Sequence, residues 1–231
     1  MRTFESQKAT VHTQSITIGL DDVVTCDTWQ ADGGTESACI LAITDDRTES
    51  GAKRKRSVTR VIADSLKAGT SESKAFREGS AHFRKLIRRS SRESAPITLA
   101  VMKVRPDTLS MAWTGDVYSM RFRNKTHELI ARPSRSGRWD GFNPMGNSPA
   151  LCKRRLQDKD LIVTCSTSIA RSIFSSHTYL QQIEDAETLT EATKATSAAC
   201  KVHGVTTGVC HLARIHAPRS NTDEMGGYHV T

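Results

Sequence analysis

Three successive runs of alternating apolar residues occupy the centre of this chain, between residues 95 and 123. An apolar side chain at every second position is the pattern of a β-strand with one buried face. The turn sequence at 105–107 separates the first run from the second and predicts a β-hairpin. Gly115 interrupts the pattern before the third run and predicts a sharp bend that a glycine permits. Three strands are therefore predicted in the middle of the chain.

The segment before these strands changes its apolar spacing part of the way along. Short strands are predicted at residues 15–19, 23–29 and 38–43, the last of them buried on both faces. From residue 51 the apolar spacing becomes i, i+3, i+4, i+7, which predicts an amphipathic helix that stops at Gly69. A second amphipathic helix is predicted to follow, and each helix would pack its apolar stripe on a sheet.

The second half of the chain mixes strands, helices and one long irregular segment. In chain order we predict an edge strand at 128–131, a loop or flap at 132–155, a buried strand at 161–165, a short helix at 166–174, a long helix at 180–203 and a final strand at 205–215. The segment 132–155 has no periodicity and carries three prolines and three glycines.

The length of 231 residues suits a single core, so one domain is predicted over 15–217. An N-terminal strand or arm at 1–14 and a flexible tail at 218–231 would flank it. No apolar run approaches the roughly 20 residues needed to cross a bilayer, and the N-terminus lacks the apolar core of a signal peptide. The sequence predicts a cytoplasmic protein without a membrane segment and leaves a nuclear location open.

Six cysteines are spread through the chain without a CxxC pair, which favours free thiols over a disulfide framework. Cys200, His203, Cys210 and His211 form the spacing closest to a zinc site. Neighbouring side chains in a strand point to opposite faces, so Cys210 and His211 are poorly placed to share one ion.

The net charge of +8 comes partly from clustered basic residues on the two predicted helices. A basic surface of this kind can attract nucleic acid or a phosphorylated protein partner, although solvated helix faces carry similar charges. Aromatic residues make up only 5% of the sequence and do not interleave with the basic runs. The basic runs therefore offer no aromatic surface on which nucleic-acid bases could stack. The residues of this candidate basic surface are Lys53, Arg54, Lys55, Arg56, Arg84 and Arg88.

Two acidic pairs stand at the ends of predicted strands. Asp21 and Asp22 lie between the first two strands, and Asp45 and Asp46 follow the third. Carboxylate oxygens are the ligands that hard divalent cations prefer, so these positions are candidate metal ligands.

The order of elements over residues 15–215, together with four local motifs, resembles the metal-dependent type 2C protein phosphatases, the PPM family. The motifs are the acidic pair at 21–22, the strand end at Asp45, the Gly115-Asp116 bend and the segment 159–166. The resemblance implies an α+β fold, a four-layer αββα sandwich of two antiparallel sheets flanked by helices. In that family, carboxylates hold two Mg²⁺ or Mn²⁺ ions, and a bridging water attacks phosphorus.

This chain departs from the family pattern at several site positions. Ser166, Thr167 and Ser168 stand where the family has Ser-Asp-Gly, and Gly204-Val205 stands where it has Asp-Asn. Asp46 replaces a glycine, and residues 15–19 lack the family's phosphate-binding arginine. The resemblance therefore implies a pseudophosphatase with no assigned catalytic residue and no cofactor, or only weakly bound Mn²⁺ or Mg²⁺.

Such a protein is predicted to act as a regulatory or binding module with a protein partner. Two alternatives stay open on the sequence. One is an active serine/threonine phosphatase that keeps a reduced metal site through Asp21, Asp22, Asp45 and Asp46. The other is a binder of nucleic acid or of a phosphorylated partner that works through the basic surface.

Overall fold

The computed structural model describes residues 9–19, 24–30, 34–44, 48–88, 97–133 and 149–216. Within these ranges the strands are β1 (Thr10–Ile18), β2 (Val24–Gln30), β3 (Ser37–Thr44), β4 (Ile97–Arg105), β5 (Thr108–Thr114), β6 (Val117–Arg123), β7 (Thr126–Ala131), β8 (Ala150–Arg155), β9 (Leu161–Ser166) and β10 (Gly208–His216). The helices are α1 (Glu49–Lys67), α2 (Glu72–Arg88), α3 (Thr167–Phe174), α4 (His177–Asp185) and α5 (Leu189–Val202).

The strands form two antiparallel five-stranded sheets that pack face to face. The first sheet has the order β1-β10-β9-β6-β7, and the second has the order β2-β3-β4-β5-β8. Helices α1 and α2 cover the outer face of the second sheet, and α3, α4 and α5 cover the outer face of the first. The predicted α+β fold with four layers is confirmed.

Three apolar layers hold the four structural layers together. The layer between the sheets is formed by residues such as Met102, Trp113 and Ile215. The outer layers join β3, β4 and β5 to α1 and α2, and β6, β9 and β10 to the other helices. Full burial of one such side chain contributes about 1.5–3 kcal/mol, so these layers supply most of the driving force for folding.

The central strands form as predicted but divide between the two sheets. Strands β4 and β5 are a hairpin in which Leu99 pairs with Thr114, and β6 belongs to the other sheet. The chain crosses between sheets at Gly115, whose φ of +79° suits glycine. A Cβ at this position would lie 2.6 Å from the Oγ1 of Thr98, so the bend also requires the absence of a side chain.

Two predictions for the second half of the chain are wrong. The long helix predicted at 180–203 is two helices, because Thr188 and Glu191 form a capping box that starts α5. The predicted loop at 132–155 contains β8, an exposed edge strand whose pairing with β5 overrides its weak periodicity. Among the described helices, none is both long and apolar enough to cross a lipid bilayer.

A buried ion pair fixes the turn before β9. Asp160 is fully buried, and its two carboxylate oxygens each accept a hydrogen bond of 2.5 Å from the guanidinium of Arg123 on β6. The backbone N–H of Gln157 also donates to this carboxylate at 2.9 Å. The hydrogen bonds raise the pKa of Arg123. The turn predicted from sequence is thus tied to β6 by charge as well as by backbone geometry.

We predict that Asp160→Ala lowers the free energy of unfolding by about 3 kcal/mol, because it leaves the guanidinium of Arg123 without its buried partner. Chemical denaturation followed by circular dichroism measures this loss. Glu128→Ala is the control, since it removes the more exposed Arg121–Glu128 pair and should cost less than about 1 kcal/mol. Equal losses in the two variants would contradict the prediction.

Candidate functional site

Several strand ends meet at one end of the sandwich, which we call the site end. Ile18 at the end of β1 pairs with Gly208 at the start of β10, and Ser166 at the end of β9 pairs with Val117. In the second sheet, β3 ends at the same place with Thr44. The candidate ligands Asp21, Asp22, Asp45 and Asp46 lie outside the described residues, but β1 and β3, which precede them in sequence, both end here.

The bend between β5 and β6 brings a carboxylate to the site end. The backbone carbonyl of Asp116 accepts a hydrogen bond of 3.2 Å from the N–H of Thr167, the first residue of α3. The N–H of Asp116 donates to the Oγ1 of Thr98 at 3.4 Å. The Asp116 side chain is half-buried, and its position is fixed from both sheets through the backbone.

Ser166 and Ser168 form a chain of hydrogen bonds, which we call the serine chain. The N–H of Val209 donates to Ser166 Oγ at 3.3 Å, and the two hydroxyls are 3.0 Å apart. Ser168 Oγ donates to the backbone carbonyl of Thr207 at 2.7 Å. Because the proton of Ser168 is used there, the proton of Ser166 is the one shared between the two hydroxyls. Both hydroxyl protons are therefore donated to other groups of the protein.

Thr167 lies between these two serines, and its hydroxyl has no hydrogen-bond partner. Its Oγ1 is buried and makes no hydrogen bond. Thr167 takes the position that the family resemblance gives to a metal-binding aspartate. A threonine hydroxyl is neutral and offers a cation much weaker attraction than a carboxylate does.

The segment that leads into β10 begins at the end of α5 and runs to the site end. Gly204 and Val205 cap the C-terminus of α5, with their N–H groups bonded to the carbonyls of Lys201 and Cys200. Thr206 and Thr207 are the residues next to the site end, where the Thr206 carbonyl lies 3.2 Å from the Cβ position of Gly19. In the sequence these threonines directly follow Gly204-Val205, the pair that the resemblance aligns with the family's Asp-Asn.

The sequence around the β9–α3 junction and before β10 offers no acidic ligand. Residues 161–183, which include β9 and α3, contain no aspartate or glutamate. Residues 192–222, which include the whole segment before β10, contain none either. No shift of register within these stretches can place a carboxylate at the two positions in question.

The residues at the β9–α3 junction and in the segment before β10 do not offer the ligands that a two-metal centre needs. Mg²⁺ and Mn²⁺ require anionic oxygens in addition to neutral ones. The serine chain supplies two hydroxyls that already bond to each other and to the backbone. The arrangement is a self-satisfied polar network, and Asp116 supplies negative charge only from the neighbouring bend.

The candidate basic surface is not a single face. Successive helical residues are about 100° apart, so Lys53, Arg54, Lys55 and Arg56 wind most of the way round α1. Lys55 is fully buried and adds no charge to the surface. Lys53 pairs with Glu49 at 2.6 Å, and Arg54 donates to Ser50.

The remaining members of that predicted surface lie in different settings. Arg56 is exposed on α1, whereas Arg84 on α2 is only partly exposed. The side chain of Arg88 lies outside the described residues. The members whose side chains the structure describes do not form the continuous basic stripe that nucleic-acid binding usually requires.

Gly208 is packed so closely that a side chain has no room. A Cβ there would lie 2.9 Å from both serine hydroxyls and 2.8 Å from Ile169. We predict that Gly208→Ala lowers the free energy of unfolding by about 1–3 kcal/mol by forcing the serine chain apart. Thermal and urea denaturation test this, and an unchanged midpoint would show that the serines can move aside.

No model of a protein family matches this sequence, and no curated protein matches it either. Solved structures do match. The catalytic domain of the serine/threonine protein phosphatase PstP, in complex with 2 manganese ions, is 14% identical, covers 90% of this chain and 100% of its own, and has a TM-score of 0.68. The serine/threonine phosphatase of S. agalactiae is 12% identical, with coverages of 90% and 100% and a TM-score of 0.69.

A third similar structure is PppA of Pseudomonas aeruginosa, described as a key regulatory component of T6SS. It is 15% identical, covers 91% of this chain and 100% of its own, and has a TM-score of 0.66. The alignments with these three structures span nearly all of both chains at low sequence identity. Such similarity establishes the fold, and the chemistry has to be inferred from the residues at the site end.

Proposed function

We propose that this chain, whose fold is that of a type 2C phosphatase domain, is catalytically impaired and acts as a regulatory or binding module. The observation that carries the proposal is the serine chain. It occupies the β9–α3 junction, where the family resemblance calls for an acidic metal ligand, and it uses both hydroxyl protons internally.

The electrostatic consequence is large. A hydrolytic two-metal site concentrates positive charge that only several carboxylates can offset, and a hydroxyl carries no net charge. Two of the positions that the resemblance assigns to aspartate are neutral, and the surrounding sequence offers no acidic substitute. Asp21, Asp22, Asp45 and Asp46 could retain at most a weakened site for Mn²⁺ or Mg²⁺.

A protein is the proposed partner, because the fold keeps its buried core while two positions that the resemblance assigns to metal-binding aspartates are neutral. Phosphate recognition by arginine would not require hydrolysis, so the partner could be phosphorylated. Nucleic acid is less favoured, since the basic residues of α1 point in different directions and Lys55 is buried.

The proposal predicts that the wild-type protein does not hydrolyse phosphate monoesters. The measurement is turnover of p-nitrophenyl phosphate and of a phosphothreonine peptide with millimolar Mn²⁺, compared between wild type and Asp45→Asn. We expect equal background rates, with an active type 2C phosphatase as the positive control. Turnover in the wild type that Asp45→Asn abolishes would overturn the proposal and establish a reduced metal site.

Restoring a carboxylate gives a second and independent prediction. Thr167→Asp places a negative charge where a buried hydroxyl has no partner, so we expect Mn²⁺ to bind at least about tenfold more tightly than in the wild type. Calorimetric titration measures the affinity. Ser175→Asp, at an exposed position after α3, is the matched control and should leave Mn²⁺ binding unchanged. Wild-type binding as tight as that of Thr167→Asp would contradict the loss of the site.

A further inference from the structure

A second cluster of chemically reactive side chains lies in the interior, between the two sheets. Cys26 on β2 and Cys39 on β3 come from the second sheet, and His211 on β10 comes from the first. The two Sγ atoms and a ring nitrogen of His211 all lie within 4.8 Å of one another. The two Sγ atoms are 3.6 Å apart.

The strand register explains why these residues meet. Cys26 is paired with Leu41, and Cys39 with Thr28, so the two cysteines are diagonal neighbours on one face of the second sheet. Across the interior, His211 is paired directly with Ser15 on β1. Because β1 and β2 are edge strands of their sheets, the cluster lies near an open side of the sandwich.

The spacing of the donor atoms suits a single tetrahedral ion. Zn–S bonds of about 2.3 Å at a tetrahedral angle place two sulfurs about 3.8 Å apart. The observed separation of 3.6 Å is close to this value, and it is far longer than the roughly 2.05 Å of a disulfide bond. Two thiolates, a neutral imidazole and a divalent cation would sum to zero charge, which suits a buried position.

His211 is fully buried and incompletely bonded, which is a second observation that points to a ligand. Its Nδ1 lies 3.1 Å from Ser15 Oγ, whereas its Nε2 is buried and has no hydrogen-bond partner. Metal-ligating histidines commonly use one ring nitrogen for the ion and the other for a hydrogen bond that orients the ring. Ser15 is placed to provide that orientation, and it also accepts a hydrogen bond of 3.2 Å from Cys26.

We propose that Cys26, Cys39 and His211 form a binding site for one thiophilic cation, with Zn²⁺ as the first candidate and Ser15 as a positioning residue. The ion would connect β2 and β3 of the second sheet to β10 of the first, beside the edge strand β1 that carries Ser15. Cys26 is partly exposed and Cys39 fully buried, so the ion would enter from the side of Cys26.

The site differs in kind from the carboxylate-based site considered above. Sulfur and imidazole ligands select zinc and related soft cations, whereas Mg²⁺ and Mn²⁺ select oxygen. The inference therefore does not depend on whether the protein hydrolyses phosphate. It also differs from the pairing of Cys210 with His211, because Cys210 packs in the outer layer with Cys165 and Cys200.

The test is titration of the full-length, reduced and chelator-treated protein with Zn²⁺, followed by calorimetry and by native mass spectrometry. We expect one equivalent to bind, with affinity lowered at least about 100-fold in Cys39→Ala and in His211→Ala. Ser15→Ala should weaken binding about 10–100-fold through loss of ring orientation. Cys210→Ala, the adjacent cysteine on the opposite face, is the matched control and should bind as the wild type does.

A measurement on the wild type alone guards against variants that fail to fold. Co²⁺ added to the chelated protein should give the intense sulfur-to-metal absorption of a thiolate complex, and Zn²⁺ should displace it while Mn²⁺ should not. Zn²⁺ should also raise the melting temperature of the wild type but not of folded His211→Ala. Absence of thiolate–cobalt absorption, or Zn²⁺ binding that survives Cys39→Ala and His211→Ala, would overturn the inference.

Discussion

The burial of four strands on both faces is the constraint on which the rest of this structure depends. Strands β3, β4, β9 and β10 have almost no exposed residues, so apolar material must cover each of their faces. In this protein each sheet covers the inner face of the other, and helices cover the two outer faces. The middle layer and both helical layers meet that requirement.

The same architecture provides two environments with opposite chemistry. At the site end the chain turns and backbone groups meet side-chain hydroxyls, which favours hard oxygen ligands if carboxylates are present. Between the sheets the surroundings are apolar, and the polar atoms of Cys26, Cys39 and His211 have Ser15 and one another as neighbours that can bond to them. In this chain the β9–α3 junction is a network of neutral hydroxyls, while the interior brings the donor atoms of Cys26, Cys39 and His211 together.

The sequence predicted most of the architecture because the spacing of apolar residues and the residue types that form turns are local properties. The hairpin of β4 and β5, the stop of α1 near Gly69 and the bend at Gly115 were all readable from short stretches. Strand β8 was missed because an edge strand with exposed basic residues owes its structure to pairing with β5. The break at Thr188 was missed because its capping box was hidden inside a run of good helix formers.

The sequence by itself determined that neither the β9–α3 segment nor the segment before β10 supplies a carboxylate of its own, because the acidic residue types are absent from 161–183 and from 192–222. No folding event can supply a charge that the chain does not encode. The tertiary structure alone decided that Cys26, Cys39 and His211 meet, since they lie on three strands of two different sheets. Their encounter depends on strand register and on the packing of one sheet against the other, and neither is a local property of the sequence.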